Sequence, residues 1–416
     1  MRRRIAVVGS GIAGLTAAYT LNRAADVTLY EAGDRFGGHA HTHDVVSGGR
    51  PYVVDSGFIV HNRRTYPHLT RLFDELGVAT RETGMSMSVS CAGCGLEYAG
   101  GRGAGGLFPS ARAVRPAYLR MLAEVPRFHR AARRQSARTE GDGPTLEAFL
   151  AEGGYSRYFV RHFAVPLVSA VWSCPPGLAL RYPARYLFAF LDNHGMLSVH
   201  GSPTWRTVVG GSRTYVERVV KNLAAARTDA PVRAVRRVPG GVEVRDGADG
   251  TRAFDGVVVA THPGDALRLL AAPTRAEREV LGAFRYTRSR VLLHTDGRML
   301  PRAPRARASW NHALPSCDPA AGEARVSYDM NRLQRLGAPD DLIVTLNDPG
   351  TVPDDRVLAR MEYEHPLYTP ETLAAQRRLP ELDDGVVAYA GAYHGWGFHE
   401  DGCRSGIAAA RTLGAR

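Results

Sequence analysis

Lysine is almost missing from this 416-residue chain. Lys221 is the only one, and arginine supplies the rest of the 53 basic residues that, against 41 acidic ones, give a formal charge of +12. Such a skew follows genomic base composition. Neither interleaved stacking aromatics nor zinc-finger spacing accompanies it, so no nucleic-acid partner is expected. A basic surface that meets anionic lipid headgroups stays open. Cysteine is scarce too. Cys91, Cys94, Cys174, Cys317 and Cys403 are too few and too scattered for a disulfide framework. Cys91-x-x-Cys94 lies in the turn between two strand-like segments. One such pair is half a zinc site, and the reading is of an incidental pair with no metal ligands. No apolar run approaches the ~20 residues needed to span a bilayer. Internal repeats and low-complexity tracts are absent. The chain enters its first apolar run at Ile5, which leaves no room for a signal peptide, so a cytoplasmic protein is expected. With 44% hydrophobic and 23% charged residues, the length suits two domains with full cores.

Against these absences, the first forty residues are dense with signal. Ile5-Ala6-Val7-Val8 reads as a buried parallel strand. Gly9, Gly11 and Gly14 follow at once. Gly9 allows a tight turn, Gly11 lets a pyrophosphate approach the backbone, and Gly14 lets the next helix pack on the strand. That helix runs from Ile12 to about Asn22. It aims its first N–H groups, around Ile12 and Ala13, and its positive dipole end at the phosphates. A second strand, Val27 to Tyr30, ends in Glu31-Ala32. Glu31 lies twenty positions after Gly11, where a carboxylate accepts hydrogen bonds from adenosine ribose hydroxyls. Arg35-Phe36-Gly37-Gly38-His39 follows directly.

Further on, Tyr52 to Val60 reads as strand, acid, glycine and strand, with Asp55 and Gly57 at its centre. Thr65 to Leu76 is a helix stopped by Gly77, and Ala99 to Leu107 is a Gly-rich loop. Arg115 to Arg138 is a basic helix or helix pair whose Leu119, Leu122, Val125 and Phe128 form an apolar stripe. It either packs on one face or lies on a membrane surface. Helices follow at Thr145–Leu150 and Ser156–Ala170, the second with Pro166 as a kink. After Gly210-Gly211 a helix runs through Lys221, and strands recur at Val232–Val235, Val242–Val244 and Phe254–Thr261. Strands at Val291–His294 and Leu342–Asn347 alternate with loops. A final strand runs through Gly391-Ala392 into the Gly- and aromatic-rich loop His394 to His399 and a helix of small residues.

Arg35-x-Gly37-Gly38 resembles the second glycine motif of the flavin amine oxidase-like superfamily, and the resemblance extends over essentially the whole chain. It implies an α/β fold: a Rossmann-type FAD-binding domain with an inserted α+β substrate domain. The FAD-binding domain would be discontinuous (1–61, 205–284 and 384–416), with the substrate domain at 62–204 and 285–383. The implied cofactor is non-covalent FAD, with NADPH a candidate electron donor. Its implied contacts are Gly9, Gly11, Ile12, Ala13, Gly14, Glu31, Ala32, Arg35, Gly37, Gly38, His39, the backbone at Val232, and Gly391, Phe398 and His399. The helix after Phe398 would aim its positive end at the flavin's pyrimidine ring and stabilise the charge of reduced flavin.

Within the superfamily, the segments Arg35–His39, Val54–Asn62, Leu293–Asp296, Ser309–Asn311, Val344–Asn347, Glu364–Pro366 and Gly397–Gly402 are similar to one subgroup. These are bacterial FAD-binding oxidoreductases similar to the N-terminal domain of plant cyclopropane fatty acid synthases. The resemblance implies an FAD-dependent oxidoreductase that moves hydride equivalents to or from an unsaturated or methylene-branched acyl chain. A cyclopropane-synthase-like methyltransferase would be a partner, with peripheral contact at the inner face of the membrane. Alternatives are a flavin amine oxidase, a carotenoid-type desaturase, or a non-catalytic FAD-containing partner of a lipid methyltransferase. Two departures from the superfamily pattern stand out. Ala392 replaces the acid usual after Ala-Gly, and Lys221 falls in the cofactor domain, so the lysine-held water of amine oxidases is missing. His394 and His399 are the candidate proton donors, and Phe398 forms a hydrophobic wall. The alternative for each histidine is a hydrogen bond that stiffens the loop. His39, His41 and His43 would share one face of an extended strand. His294, Trp310 and Asn311 either line the substrate side or pack its sheet.

Overall fold

The computed structural model describes residues 2–110, 114–138, 143–198, 201–318 and 322–415. One five-stranded parallel sheet organises the nucleotide half, in the order Ala225–Arg227, Ala25–Tyr30, Arg3–Val8, Gly256–Val259, Val387–Tyr389. Its strands come from three distant stretches of the chain. Central position explains the unbroken apolar run of the first strand: Ile5, Ala6 and Val7 are fully buried, because helices and a second layer cover both faces. Helix Ile12–Leu21 lies on one face, and the C-terminal helix His399–Thr412 packs directly against it. Small residues set that approach. A Cβ on Gly406 would come within 2.3 Å of the Ala13 carbonyl oxygen, and one on Gly402 within 2.7 Å of Ile12.

On the other face lies a three-stranded antiparallel sheet, Val232–Val238, Gly241–Asp246 and Thr251–Phe254. The segment Phe254–Thr261, expected as one strand, is broken at Asp255. Asp255 accepts a bond from the Arg4 amide and turns the chain from this sheet into the parallel one. The second half of the molecule is built on a seven-stranded mixed sheet, ordered Val357–Leu367, Arg285–His294, Ile343–Leu346, Val326–Asp329, Trp310–Leu314, Met87–Cys91, Glu97–Gly100. A helical layer spanning 116–193 covers part of it.

Three further local expectations change. Phe58–Val60 is irregular, not strand. There the chain is pressed against the His39 backbone: the Phe58 amide donates to the His39 carbonyl at 2.7 Å, and a Cβ on Gly57 would sit 2.1 Å from the same oxygen. The Gly-rich loop contains a short helix, Gly103–Leu107, because Gly106 fits tightly over Ala99. Helix Pro116–Ser136 exists, but its buried face carries Tyr118, Met121, Phe128 and Ala132, while Leu119 is 43% exposed. Leu119, Ala123, Pro126, Arg130 and Arg134 share the outward face instead. In the helix through 157–172 the kink ahead of Pro166 is a π-helical turn, Val160–Ala164. Pro166 has no N–H for the carbonyl of His162, and the Tyr98 hydroxyl donates to it at 2.7 Å. Among the described residues, no helix is long and apolar enough to cross a membrane.

Candidate flavin site

The site begins where the first strand ends. Gly9 holds φ +98, its amide donates to the Tyr30 carbonyl, and a Cβ there would lie 2.7 Å from the Ala260 carbonyl oxygen. Gly11 is the N-cap of helix Ile12–Leu21, and no side chain caps that end. The first-turn N–H groups, including those of Ile12 and Ala13, are left for an external acceptor. Gly14 is where the helix touches the strand: a Cβ there would be 1.9 Å from the Gly9 carbonyl oxygen. The loop Arg35–Gly38 folds over the same end. Gly37 donates to the Ser10 carbonyl and hydroxyl, and Gly38 (φ +56) packs against the Gly11 backbone. Arg35 closes this loop on itself, donating to the carbonyls of Gly38 and Ala40.

Glu31 stands at the tip of the second strand. The Ser10 amide and hydroxyl donate to its Oε2, and the Gly33 amide donates to Oε1 at 2.9 Å. A carboxylate offers about four acceptor positions, so one stays available to a ribose hydroxyl. Ala32 beside it is exposed. The segment entering Val232 runs alongside: Asp229 and Ala230 donate to the carbonyls of Gly33 and Glu31 at 2.9 Å.

Histidines from four segments meet at the other end of the cradle. The His39 ring lies 5.0 Å from that of Tyr363, 5.7 Å from His365 and 6.4 Å from His262. Burial, with the charges of His365, His262 and His399 added, holds His39 well below the usual imidazole range. His41 and His43 lie side by side with tilted rings 4.1 Å apart, but His39 precedes the strand and turns away, so the three do not form one triad. Instead His41 bonds the Tyr363 hydroxyl, and His43 bonds Ser56. Sequence reasoning missed His262, His365 and Tyr363 as neighbours of His39. For His262 there was a signal, its position directly after Ala260-Thr261.

On the C-terminal side, Gly391 is held by Ser405, whose hydroxyl accepts from its amide and donates to its carbonyl. A Cβ on Gly391 would run into the Tyr393 ring. Phe398 precedes helix His399–Thr412, and its amide donates to Asp401. Burial raises the Asp401 carboxyl to about 6, against the lowering effect of Arg404. The Phe398 ring stacks on Phe190 at 4.6 Å, with Trp172 edge-on and His194 beside it. His399 is clamped: it stacks on Phe58 at 3.8 Å and bonds the Tyr215 hydroxyl at 3.2 Å. Burial lowers it to about 3, and His394 to about 4. Both rings are therefore neutral at neutral pH, and a proton given by either in its protonated form would leave a neutral imidazole.

These residues fit a dinucleotide with a flavin end. The cradle is shaped by glycines, the helix end is uncapped, and buried nitrogens stand without partners at His61 Nδ1, His365 Nδ1 and His394 Nε2. Other candidates belong to the scaffold. His294 bonds Thr345 and the Asp296 amide, and Asn311 holds Ser88, Ala308 and Ser327. Lys221 is exposed on helix Arg213–Lys221.

Comparison with known proteins agrees with this geometry. Residues 12–332 match the family described as flavin containing amine oxidoreductase. A coproporphyrinogen III oxidase of Mycobacterium leprae is 27% identical over 285 residues, covering 64% of this chain and 61% of the relative. This chain thus spans under two thirds of that relative's length. Among solved structures, cyclohexylamine oxidase from Brevibacterium oxydans superposes with a TM-score of 0.70 at 18% identity, covering 99% of both chains. A fatty acid isomerase from P. acnes superposes with a TM-score of 0.68 at 18% identity, covering 98% of this chain and 97% of that one. The family match covers most of the chain, and the fold is shared end to end: the protein belongs to the flavin-containing amine oxidoreductase family.

Proposed function

We propose that the protein transfers hydride equivalents between flavin N5 and a carbon of an apolar substrate, an unsaturated or methylene-branched lipid acyl chain. The observation that carries this reading is the wall around Phe398. Phe190 and Trp172 pack on it, Trp396 lies against Phe190, Tyr186 lies against Trp396 and Tyr368, and the hydroxyls of Tyr186 and Tyr368 are spent on the Gly395 carbonyl. Such a surface suits hydrocarbon better than an ammonium group. FAD, when bound, supplies the hydride acceptor or donor. The chain's own part is to hold the diphosphate at the Gly11 helix end, the ribose at Glu31, and the substrate against aromatic rings that exclude water. The same fold carries a fatty acid isomerase in P. acnes, which supports acyl-chain chemistry on this scaffold. The subgroup resemblance supports a cyclopropane-synthase-like methyltransferase as partner and NADPH as donor. Lipid profiles of a host with and without the gene test the reading: a methylene-branched or unsaturated acyl species should accumulate without it. Identical profiles, with a flavin that NADPH does not reduce, overturn it.

A second reading, oxidation of a porphyrinogen, is favoured by the match to coproporphyrinogen III oxidase. Flavin reduction by a porphyrinogen under anaerobic conditions would put it first. Oxidation of simple amines is not expected, because the only lysine is Lys221, exposed and in the nucleotide half. Peroxide release with cyclohexylamine or putrescine should stay at the no-substrate rate, and amine-dependent release that disappears with FAD would reverse the order of these readings.

Reaching an acyl chain in a bilayer requires contact with its surface. Phe108, Val114 and Leu119 are exposed by 39, 61 and 43% around the start of helix Pro116–Ser136, whose outward face continues into Arg130 and Arg134. Arg127 and Arg133 are engaged elsewhere, over the Tyr155 ring and on the Leu197 carbonyl. Each arginine near an anionic surface contributes about 1 kcal/mol. The triple variant Leu119→Ser, Arg130→Gln, Arg134→Gln is expected to bind anionic liposomes at least about tenfold more weakly at low salt, with unchanged FAD content. Equal sedimentation with wild type removes this face from the mechanism.

A further inference from the structure

Cys91 and Cys94 flank the turn between antiparallel strands Met87–Cys91 and Glu97–Gly100. Gly95 holds φ +69 there, its amide donates to the Cys91 carbonyl at 2.8 Å, and the amides of Cys94 and Leu96 face the sulfurs of Cys91 and Cys94. Alone the pair is half a site. The fold brings it two more donors from far along the chain. Cys317 follows strand Trp310–Leu314, which runs parallel to Met87–Cys91 with Leu314 opposite Cys91. His162 sits in the π-helical turn Val160–Ala164.

Cys91 Sγ lies 3.6 Å from Cys317 Sγ, and Cys94 Sγ lies 3.5 Å from His162 Nε2. All four donor atoms fall within 4.8 Å of one another. A tetrahedron with metal–sulfur bonds of about 2.3 Å has sulfur–sulfur edges of about 3.8 Å, and its sulfur–nitrogen edges are slightly shorter. Both measured separations fit those edges. They are far too long for a disulfide, and all five cysteines are free. The histidine is oriented for ligation. Its Nδ1 faces the Tyr158 carbonyl at 3.1 Å, which places the N–H there and leaves the Nε2 lone pair toward the sulfurs. Tyr98, on the strand leaving the cysteine turn, fixes the carbonyl of the same histidine, so the two halves of the cluster are tied together by an independent bond.

We propose that Cys91, Cys94, Cys317 and His162 hold a zinc ion. Four protein donors leave no open position, so the role is structural, and three thiolates with one imidazole in a tetrahedral arrangement select zinc over hard cations. Three thiolates give the loaded site one net negative charge, and the Arg115 guanidinium beside it, donating to the Cys94 carbonyl, offsets it. The ion would clip the helical layer and the loop after Leu314 to the edge of the seven-stranded sheet. This departs from the sequence expectation of an incidental cysteine pair, and it is independent of which substrate the flavin serves.

The test is elemental analysis of the full-length holoprotein after gel filtration in a mild chelator. Wild type should carry about one zinc per chain. His162→Cys should keep the metal as a four-thiolate site, whereas His162→Ala should lose most of it at the same FAD content. Should His162→Ala not fold, cobalt-substituted wild type gives a second readout: tetrahedral cobalt–thiolate bands in the red, beyond oxidised-flavin absorption, abolished by an organomercurial thiol reagent. Wild type without zinc and without cobalt bands, stoichiometric iron in place of zinc, or a Cys91–Cys317 disulfide in the native protein would each overturn the assignment.

Discussion

Gly11→Ala is expected to fold and to purify colourless, while wild type is yellow and releases FAD on denaturation. The contrast with Gly14→Ala makes the test specific. At Gly11 the backbone is ordinary (φ −61, ψ 173), and an added Cβ meets no protein atom within 4 Å. Nothing in the chain resists the substitution, so any loss must come from what lies outside it, at the uncapped helix end. A methyl group there stands where the diphosphate must approach the backbone. Retention through gel filtration should fall by at least about tenfold, equivalent to about 1.4 kcal/mol. At Gly14 the Cβ would overlap the Gly9 carbonyl oxygen at 1.9 Å. Helix and strand must separate, at a cost on the order of 3 kcal/mol, and both fold and flavin suffer. Circular dichroism and flavin content measured together separate the two. A folded Gly11→Ala protein with full flavin occupancy would refute the assignment of the diphosphate site.

The second large effect is acid lability, which should set in well above the carboxylate range. Burial pushes His61, His129, His194, His294 and His312 down to about 4, and all five are less than 10% exposed. The unfolded chain titrates them near 6.5. Each folded-state pKa is therefore depressed. Between about 6.5 and 4 the unfolded state binds more protons, so stability is complete above pH 6.5 and is lost as pH falls toward 4. At pH 5.5 each such histidine costs on the order of 1 kcal/mol, and the five together on the order of 5–7 kcal/mol. Two carboxyls act in the opposite sense. Burial raises Asp55 to about 6, although the Thr42 and Ser212 bonds favour its charged form, and Asp401 is raised to about 6 as well. Both take up protons in the folded state as pH falls from 7 to 5.5, which returns on the order of 1 kcal/mol in total. The histidines win by several kcal/mol, a large part of an ordinary stability of about 5–15 kcal/mol. For a chain of this length the midpoint of thermal unfolding should drop by about 6 °C between pH 7.5 and 5.5. A midpoint that moves less than about 2 °C over that range would show that these rings are solvated or already charged.

What the sequence determined by itself is local. A run of β-branched residues, three glycines at fixed spacing and an acid at the next strand tip specify strand, turn, helix and strand through backbone sterics and hydrogen bonding alone. That is why the cradle of Gly9, Gly11, Gly14, Glu31 and Gly37 could be drawn before any coordinates. The small residues of the last helix were legible for the same reason, though not that Gly402 and Gly406 exist to seat it on Ile12 and Ala13. Side-chain environment was not legible. The apolar stripe of helix Pro116–Ser136 was read correctly at Phe128 and in part at Leu122 and Val125 but not at Leu119, because periodicity finds a face but only the neighbours of the helix decide how far it is covered. From their place in the loop, His394 and His399 could be read as proton donors or as bonds that stiffen the loop, but not as neutral or charged. Enclosure by residues far away in sequence, among them Phe58 and Tyr215, is what holds His399 neutral. Likewise Cys91-x-x-Cys94 carried no weight until Cys317 and His162 arrived from elsewhere in the chain. Proton affinity and metal coordination depend on which groups meet within a few ångströms. Tertiary packing alone chooses those partners.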